Sequence, residues 1–551
     1  MTPRRWIETA ANGEATARIS SRYAVSPVAA RLLAMRAWSD EELGGFLTPA
    51  RIPWPDPARI PNLAPAARRI QKAVEGRELV LVHGDYDVDG LMGTAVLVGG
   101  LRSLGGLVEA FIPSRFDGGY GLSAASVAAA ERCGAKLVVT TDCGTNSREV
   151  GESLRRLGID LVVSDHHLPA SGEQPEALVV NPHLEAEHPD GSLCGAAVAL
   201  QLLRGTAEAM GRELALEPFL RLVAIATVAD VVSVTPVNRR ICKEGFLALE
   251  TTPNPGLLLL LNRFRTGILS HHVSFHLAPR LNAAGRMEDA RLVLDLLMER
   301  SPAQAAALMG RLEALNRKRK ALQNSAFDEA FAQALTGTGE RVAFAASPAW
   351  HRGVMGPVAA RLAEALRRSA FVVAVDGEEG VGSARSWADD DVSAVLATAG
   401  DLLERFGGHA GAAGFTVKAS RLTDLEARLQ RAPGGDGGRE AAEEYLSIRQ
   451  EELTEAWAAW TLLDPFGPGN PEPFFGLQGL RPRGHRAAAG KHLIWDVALP
   501  GGESLQVIAW NGEAEGFTGS TVAPSRTVVG RLAPQSTPSS LPFYFSVAAV
   551  L

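Results

Sequence analysis

Three short apolar runs in the first third of the chain each end in acidic or imidazole side chains, and this repetition constrains the fold more than any other feature. Leu79-Val80-Leu81-Val82 leads into His83-Gly84-Asp85-Tyr86-Asp87-Val88-Asp89-Gly90. Leu137-Val138-Val139-Thr140-Thr141 ends in Asp142-Cys143-Gly144, and Leu161-Val162-Val163-Ser164 ends in Asp165-His166-His167. Runs this short and this apolar read as strands buried on both faces, which is the habit of parallel strands. Leu107 to Ile112 and Ala177 to Val180 are further candidates, with helical text such as Leu91 to Leu104 between the runs. Strands alternating with helices predict an open α/β sheet. Ligands bind such sheets at the carboxyl ends of the strands, where these acids and imidazoles fall.

The chemistry follows from crowding. Asp85, Asp87 and Asp89 repel one another unless a cation neutralises them. Hard oxygen donors suit Mg²⁺ or Mn²⁺, and imidazole close by tilts the choice toward Mn²⁺. An Asx-rich turn or an EF-hand-like calcium loop has similar text. The helix that follows, and the lack of a Glu at the twelfth loop position, disfavour calcium. Asp142 alone reads equally as a strand-ending turn residue, and Asp165 as a helix cap. Three such endings in one predicted crevice point instead to a two-metal site. Farther on, Ala224 to Ala229 runs into Asp230, a lone acid in an apolar stretch. A buried carboxylate needs a metal or a partner. No G-x-G-x-x-G or P-loop lysine follows these runs, which weighs against nucleotide cofactors.

A chain of 551 residues predicts three or four domains. No apolar run reaches 18 residues, so no membrane span is expected. Met1 to Trp6 carries two arginines without an apolar stretch behind them and does not read as a signal peptide. Cys133, Cys143, Cys194 and Cys242 form no C-x-x-C pair, which fits a reducing cytosol. A net charge of −7 argues against a general polyanion-coating protein, so nucleic-acid binding would need local basic surface.

Along the chain, residues 1–75 read as mostly helical, with helix starts at Ser26-Pro27 and at the capping box Ser39-Asp40-Glu41-Glu42. Pro49 to Pro65 reads as a linker. Residues 76–250 hold the sheet. Residues 251–335 read as connecting helices, with a basic run Arg317-Lys318-Arg319-Lys320 and, before it, Arg280 and Arg286 around a small-residue turn. Residues 336–432 form a smaller α/β lobe with strands Arg341 to Ala346 and Phe371 to Val375. Two of its loops, Gly382-Ser383-Ala384-Arg385-Ser386 and Gly407-Gly408-His409, admit a polymer backbone or are merely tight turns. Residues 433–464 start flexible and read as an acidic helix through Glu455. Residues 465–551 read as short strands of an OB-like β-barrel, with Trp495, Trp510, Phe543 and Tyr544 available for stacking or for a core. From 474 to 551 six basic residues (Arg481, Arg483, Arg486, Lys491, Arg526, Arg531) face four acids, a weakly positive module.

On these residues the chain resembles the DHH phosphoesterase family. Asp165-His166-His167 is the motif that names the family, His83-x-x-x-Asp87-x-Asp89 matches its first motif, Asp142 its second and Asp230 its fourth. The likeness is closer to the branch of bacterial single-strand exonucleases, through Ala278 to Arg286, Gly407 to Gly414 and Pro465 to Pro473. Val88 and Ala278 stand where that branch has Ala and Gly. Members often carry extra C-terminal sequence, so the chain is expected to be either whole or trimmed. The resemblance implies a parallel-sheet core, a DHH-associated substrate lobe (336–432) and a C-terminal OB-like barrel. It implies that Asp87, Asp89, Asp142, His166 and Asp230 hold two divalent ions, Mn²⁺ or Mg²⁺, with Asp142 bridging and His83 as a further ligand. Asp85 and Asp165 would support the ligands, and His167 would face the scissile phosphate. Arg280, Ser383, Arg385, Gly408 and His409 would bind substrate. The implied activity is 5′-to-3′ hydrolysis of single-stranded DNA in recombination and repair, by a cytoplasmic monomer with a single-strand-binding protein and a helicase as partners and no membrane. A DHH enzyme for short RNA or small phosphate esters, and a non-catalytic replication-scaffold relative, are the alternatives.

Overall fold

The computed structural model describes residues 5–116, 121–264, 267–337, 339–433, 442–488, 492–510, 526–535 and 540–551. Strand β1 (Trp6–Glu8) opens the chain and joins a C-terminal sheet. Four α-helices follow, the last Leu63–Glu75, and the second and third, Pro27–Ala34 and Asp40–Leu47, start where Ser26 and the Ser39–Glu42 capping box predict. The parallel sheet is then built from β2 (Leu79–Gly84), β3 (Leu107–Phe111), β4 (Leu137–Thr141), β5 (Asp160–Ser164) and β6 (Leu178–Val180). Their order is β3-β2-β4-β5-β6, every pair parallel. Helix α1 (Val88–Ser103) leaves the end of β2 and is buried nearly all round, which its unbroken apolar and glycine text requires. Helix α2 (Gly195–Ala209) is buried likewise. The run Ala224–Ala229 is the last part of a helix, α3 (Glu217–Ala229), and Asp230 caps it. Helices α4 (Pro236–Glu250) and α5 (Ala278–Met287) follow.

Contacts divide the chain into two compact units, one of Met1–Asn282, Ala290–Gly310 and Ala442–Leu551, the other of Ala283–Asp289 and Arg311–Ala441. Two of the boundaries fall inside α5 and inside the long helix α6 (Pro302–Thr336). In the second unit Arg319 of the basic run is buried and bonded to Asn316 and Gln323, while Arg317, Lys318 and Lys320 are exposed. This unit holds β7 (Ala343–Ser347), helix α7 (Met355–Leu366), β8 (Ala370–Asp376), β9 (Glu379–Arg385), β10 (Leu403–His409) and β11 (Ala412–Lys418). Its sheet runs β10-β11-β9-β8-β7 over a core that includes Phe371, Val373, Phe415, Val417, Leu425 and Leu429.

The acidic segment expected to be helical differs. Glu443–Ile448 is strand β12, and the helix, α8 (Leu453–Leu463), starts later. Tyr445, Leu446 and Ile448 are buried in neighbouring cores, which outweighs the helix propensity of the glutamates around them. Then come β13 (Phe474–Leu477), β14 (Pro482–Ala488), β15 (His492–Ala498), β16 (Ser504–Ala509), β17 (Val528–Pro534) and β18 (Phe543–Val550). The eight strands run β1-β12-β13-β17-β18-β16-β15-β14, and among the described residues no pair closes this sheet into a barrel. The N-terminal helices share its core: Val28, Leu33, Leu43 and Phe46 pack in one cluster with Trp460, Phe475, Trp495 and Phe543. Trp495 and Phe543 are therefore core residues, whereas Trp510 is 44% exposed. Lys491 lies outside the described residues.

Candidate metal centre

Strand ends deliver the acids because parallel pairing brings β2, β4 and β5 to a common edge. At the end of β2 the chain turns through Asp85-Tyr86 into α1, and Asp87 caps that helix by accepting from Gly90 N at 3.2 Å. The turn is tight enough that a Cβ at Gly90 would stand 2.5 Å from Asp85 N. Asp142 follows β4 with φ 62, a left-handed conformation that Asp tolerates better than most residues. Asp165 follows β5, and its carboxylate accepts from Thr145 N (2.9 Å), His166 N (2.8 Å) and His167 Nδ1 (2.8 Å).

These side chains meet. Asp85, Asp87 and Asp142 offer oxygen atoms within 4.8 Å of one another, and so do the ligand atoms of Asp89, His166 and Asp230 and those of Asp142, His166 and His167. Asp142 and His166 each belong to two groups, with His166 Nε2 3.1 Å from Asp142 Oδ1 and 3.7 Å from both Asp89 and Asp230. Burial, then mutual repulsion, pushes the carboxyls of Asp85 and Asp142 well above the usual range and that of Asp230 up to about 8. Two buried atoms aimed at the cluster, Asp85 Oδ1 and His166 Nε2, have no hydrogen-bond partner. Burial also lowers His166, leaving a neutral ring with a lone pair. Crowded, dehydrated oxygen donors with a neutral imidazole fit hard divalent ions such as Mn²⁺ or Mg²⁺.

Asp165 and His167 do something different. Burial works against both charges, yet their hydrogen bond brings Asp165 down to about 2 and His167 up to about 9. The result is an imidazolium held at the rim of the cluster. His83, expected as a ligand, is completely buried, with Nε2 2.9 Å from Ser126 Oγ and Nδ1 3.6 Å from Cys143 Sγ, and belongs to none of the three groups. Asp85, expected only in support, stands in the group with Asp87 and Asp142.

Two contributions escaped the sequence. The first is backbone: Gly195 N and Ala196 N, at the start of α2, donate to Asp89 at 2.6 and 2.8 Å. A Cβ at Gly195 would lie 2.6 Å from Asp142 Cβ, so glycine is what lets α2 reach both acids. The second is Arg115, whose guanidinium lies over the Tyr86 ring at 4.1 Å and faces Asp85. Of the proposed substrate contacts, Arg280 is 5% exposed in the first unit. Ser383, Arg385, Gly408 and His409 come together in the second unit, where Arg385 and His409 both pair with Ala412. Arg385 Nη1 donates to Ser383 Oγ at 3.0 Å, and Gly408 has φ 147. Arg286 also falls in the second unit and donates to Gly353 O at 3.4 Å.

A strand-end acid cluster closed by Asp-His-His on a parallel sheet, accompanied by a second α/β unit, defines a protein of the DHH class. The model of the DHH family N-terminal domain matches residues 79–227, that of the DHHA1 domain 339–432 and that of the RecJ OB domain 446–534. The chain belongs to the RecJ family. It is 37% identical over 453 residues to the single-stranded-DNA-specific exonuclease RecJ of Thermus thermophilus, covering 82% of this chain and 66% of that one. To the protein of that name from Escherichia coli it is 31% identical, covering 84% and 85%. The crystal structure of Thermus thermophilus RecJ in complex with Mn²⁺ superposes with a TM-score of 0.83 at 31% identity, covering 99% of this chain and 79% of that one. The corresponding Mg²⁺ complex gives 0.76 at 29% identity, covering 99% and 78%. The chain spans 66% of its Thermus relative and 61% of its Bacillus subtilis one.

Proposed function

We propose that this protein is a metal-dependent exonuclease that hydrolyses single-stranded DNA from the 5′ end. The observation that carries the reading is the run of three ligand groups, in which Asp142–His166–His167 overlaps Asp85–Asp87–Asp142 through Asp142 and Asp89–His166–Asp230 through His166. Asp85, Asp87 and Asp142 would hold one divalent ion, and Asp89, His166 and Asp230 the other, with Asp142 in reach of both. When bound, such ions supply a nucleophile from water at neutral pH and neutralise charge on the phosphate and its leaving oxygen. The chain's own residues do the rest. The α2 amides hold Asp89 in orientation, and His166 stays neutral and available. His167, kept cationic by Asp165, offers a charged N–H to a phosphoryl oxygen. His83, with both ring nitrogens engaged, acts as a packing residue behind the acids. Ser383, Arg385 and the backbone at Gly408 and His409 form a polar edge suited to a nucleic-acid backbone.

The choice of DNA, the 5′-to-3′ direction and a part in recombination and repair rest on the family. So do a cytoplasmic, monomeric state and partnership with a single-strand-binding protein and a helicase. Four free cysteines suit a reducing compartment, and no helix among the described residues is long and apolar enough to cross a membrane. A scaffold role without catalysis would need missing ligands, and every candidate acid is present.

The test is digestion of end-labelled single-stranded and duplex DNA with Mn²⁺ or with EDTA, alongside a closed single-stranded circle. Linear single strands should be degraded only with the metal, and the circle should persist. Efficient cutting of the circle, or undiminished cleavage in EDTA, overturns the reading.

A further inference from the structure

The backbone just after Asp230 is held in a conformation that its own side chains disfavour. Val231 has φ 57, a left-handed value that a β-branched residue rarely adopts, and its side chain is exposed. Such strain persists only where the surroundings over-determine the backbone. Here the surroundings come from far along the chain. Val234 N donates to Pro468 O at 2.7 Å, and Asn238 Nδ2 donates to Ser233 O at 2.8 Å and to Ser192 O at 2.7 Å.

Pro468 belongs to Pro465-Phe466-Gly467-Pro468-Gly469-Asn470, a motif with no place in the chemistry so far. The approach of this loop needs its glycines. A Cβ on Gly467 would come within 3.2 Å of Val234 Cγ2, and Gly469 has φ 82 beside the Val234 backbone. The loop is itself anchored. Asn470 Nδ2 donates to Leu463 O and Pro465 O, both at 2.8 Å, and Asp464 accepts from Ser270 N and Oγ. Arg239 closes the circuit from the Asp230 side, donating to the carbonyls of Leu462, Leu463 and Asp464.

We infer that the Pro465–Asn470 loop is a positioning element for Asp230, so the C-terminal part of the chain sets the affinity of the metal centre as well as any grip on DNA. This rests on Asp230 being a ligand. The expected signature separates metal binding from folding. Val231→Gly removes the strain and loosens the turn, so the melting temperature should hold or rise while affinity for one of two Mn²⁺ ions falls. Gly469→Ala displaces the Pro468 carbonyl and should act on the same ion from the other side of the contact.

Mn²⁺ binding to the full chain is followed by electron paramagnetic resonance and calorimetry, with Asp230→Ala as the reference. Val231→Gly and Gly469→Ala should each lose about tenfold in affinity for the ion that Asp230→Ala loses, keep the other, and recover nuclease activity as Mn²⁺ is raised. Wild-type binding of both ions by folded Val231→Gly and Gly469→Ala overturns the inference while leaving the ligand assignment standing. Should Gly469→Ala not fold, Val231→Gly decides alone. Wild-type binding by Asp230→Ala removes the ligand assignment itself, and the inference with it.

Discussion

Replacing Asp142 by asparagine should make the metal-free protein more stable and the metal-loaded protein inert. Asparagine keeps the volume and tolerates φ 62, so the backbone need not move. What changes is charge. Asp142 is 3% exposed, and its oxygen atoms lie within 4.8 Å of those of Asp85 and Asp87. Two unit charges at that separation, in an effective dielectric near 20, repel by roughly 3 kcal/mol. Asp89 and Asp165 add to the repulsion, while shared protons in the metal-free state reduce it. A net gain of about 1–3 kcal/mol is therefore expected, visible as a rise of a few degrees in melting temperature in EDTA. Adding Mn²⁺ should reverse the ranking. Wild type gains about 2.7 kcal/mol when free metal reaches a hundred times its dissociation constant, and the variant, lacking a shared ligand, gains far less. Scanning calorimetry of both proteins across a Mn²⁺ series measures this. If the variant melts below wild type in EDTA, the acids are bound together by hydrogen bonds rather than forced together. If Mn²⁺ stabilises both equally, Asp142 is not a ligand.

Arg239→Leu should cost about 3 kcal/mol or more, because it removes the guanidinium donors from the carbonyls of Phe46, Leu462, Leu463 and Asp464 and uncovers the Phe46 ring, and urea unfolding that moves by under about 1 kcal/mol would refute this. Burial and neighbouring imidazoles push His271 down to about 3 and His272 to about 4. Folded values below the unfolded one mean that the stability these rings contribute is complete above pH ~6.5 and lost as pH falls toward 3, at up to about 1.4 kcal/mol per unit for each ring. His271→Phe should flatten the melting temperature between pH 7.5 and 5.5, and an unchanged slope would assign the acid sensitivity elsewhere. Arg483 and Arg486 lie exposed on β14, the open edge of the eight-stranded sheet. Changing both to Glu should weaken long single strands and lower the salt slope by about 2, with short saturating oligonucleotides still cleaved; an unaltered slope would make that edge a brace or a protein-docking surface.

The parallel sheet and most of the acid cluster were legible because doubly buried strands write themselves as unbroken apolar runs and the acids stand directly after them. Asp230 was legible for a related reason, a charge with no partner among its neighbours in sequence. The exceptions have physical causes. His83 sits on a strand end among acids and reads as a ligand; the contacts of its buried ring with Ser126 and Cys143, far off in sequence, were not legible. The amides of Gly195 and Ala196 have no letter at all, since any residue carries one. Residues 443–448 carry two glutamates that suggest a helix, and only pairing with distant Trp6–Glu8 and Phe474–Leu477 makes them a strand. Trp495 and Trp510 look alike in sequence, yet one packs into the core and the other is exposed.

The pairing of β1 with β12 has a consequence for how a cell makes this protein. Trp6 leaves the ribosome long before its partner Glu443, which lies more than 400 residues further along the chain. At ~5–20 residues per second that wait lasts about 20–90 s. Throughout it, the apolar faces of Val28, Leu33 and Leu43 have no Trp460 or Phe475 to cover them. The nascent chain is thus suited to holding factors for as long as that wait lasts. Pro468, which braces the turn after Asp230, emerges later still, so the metal centre is finished only after it.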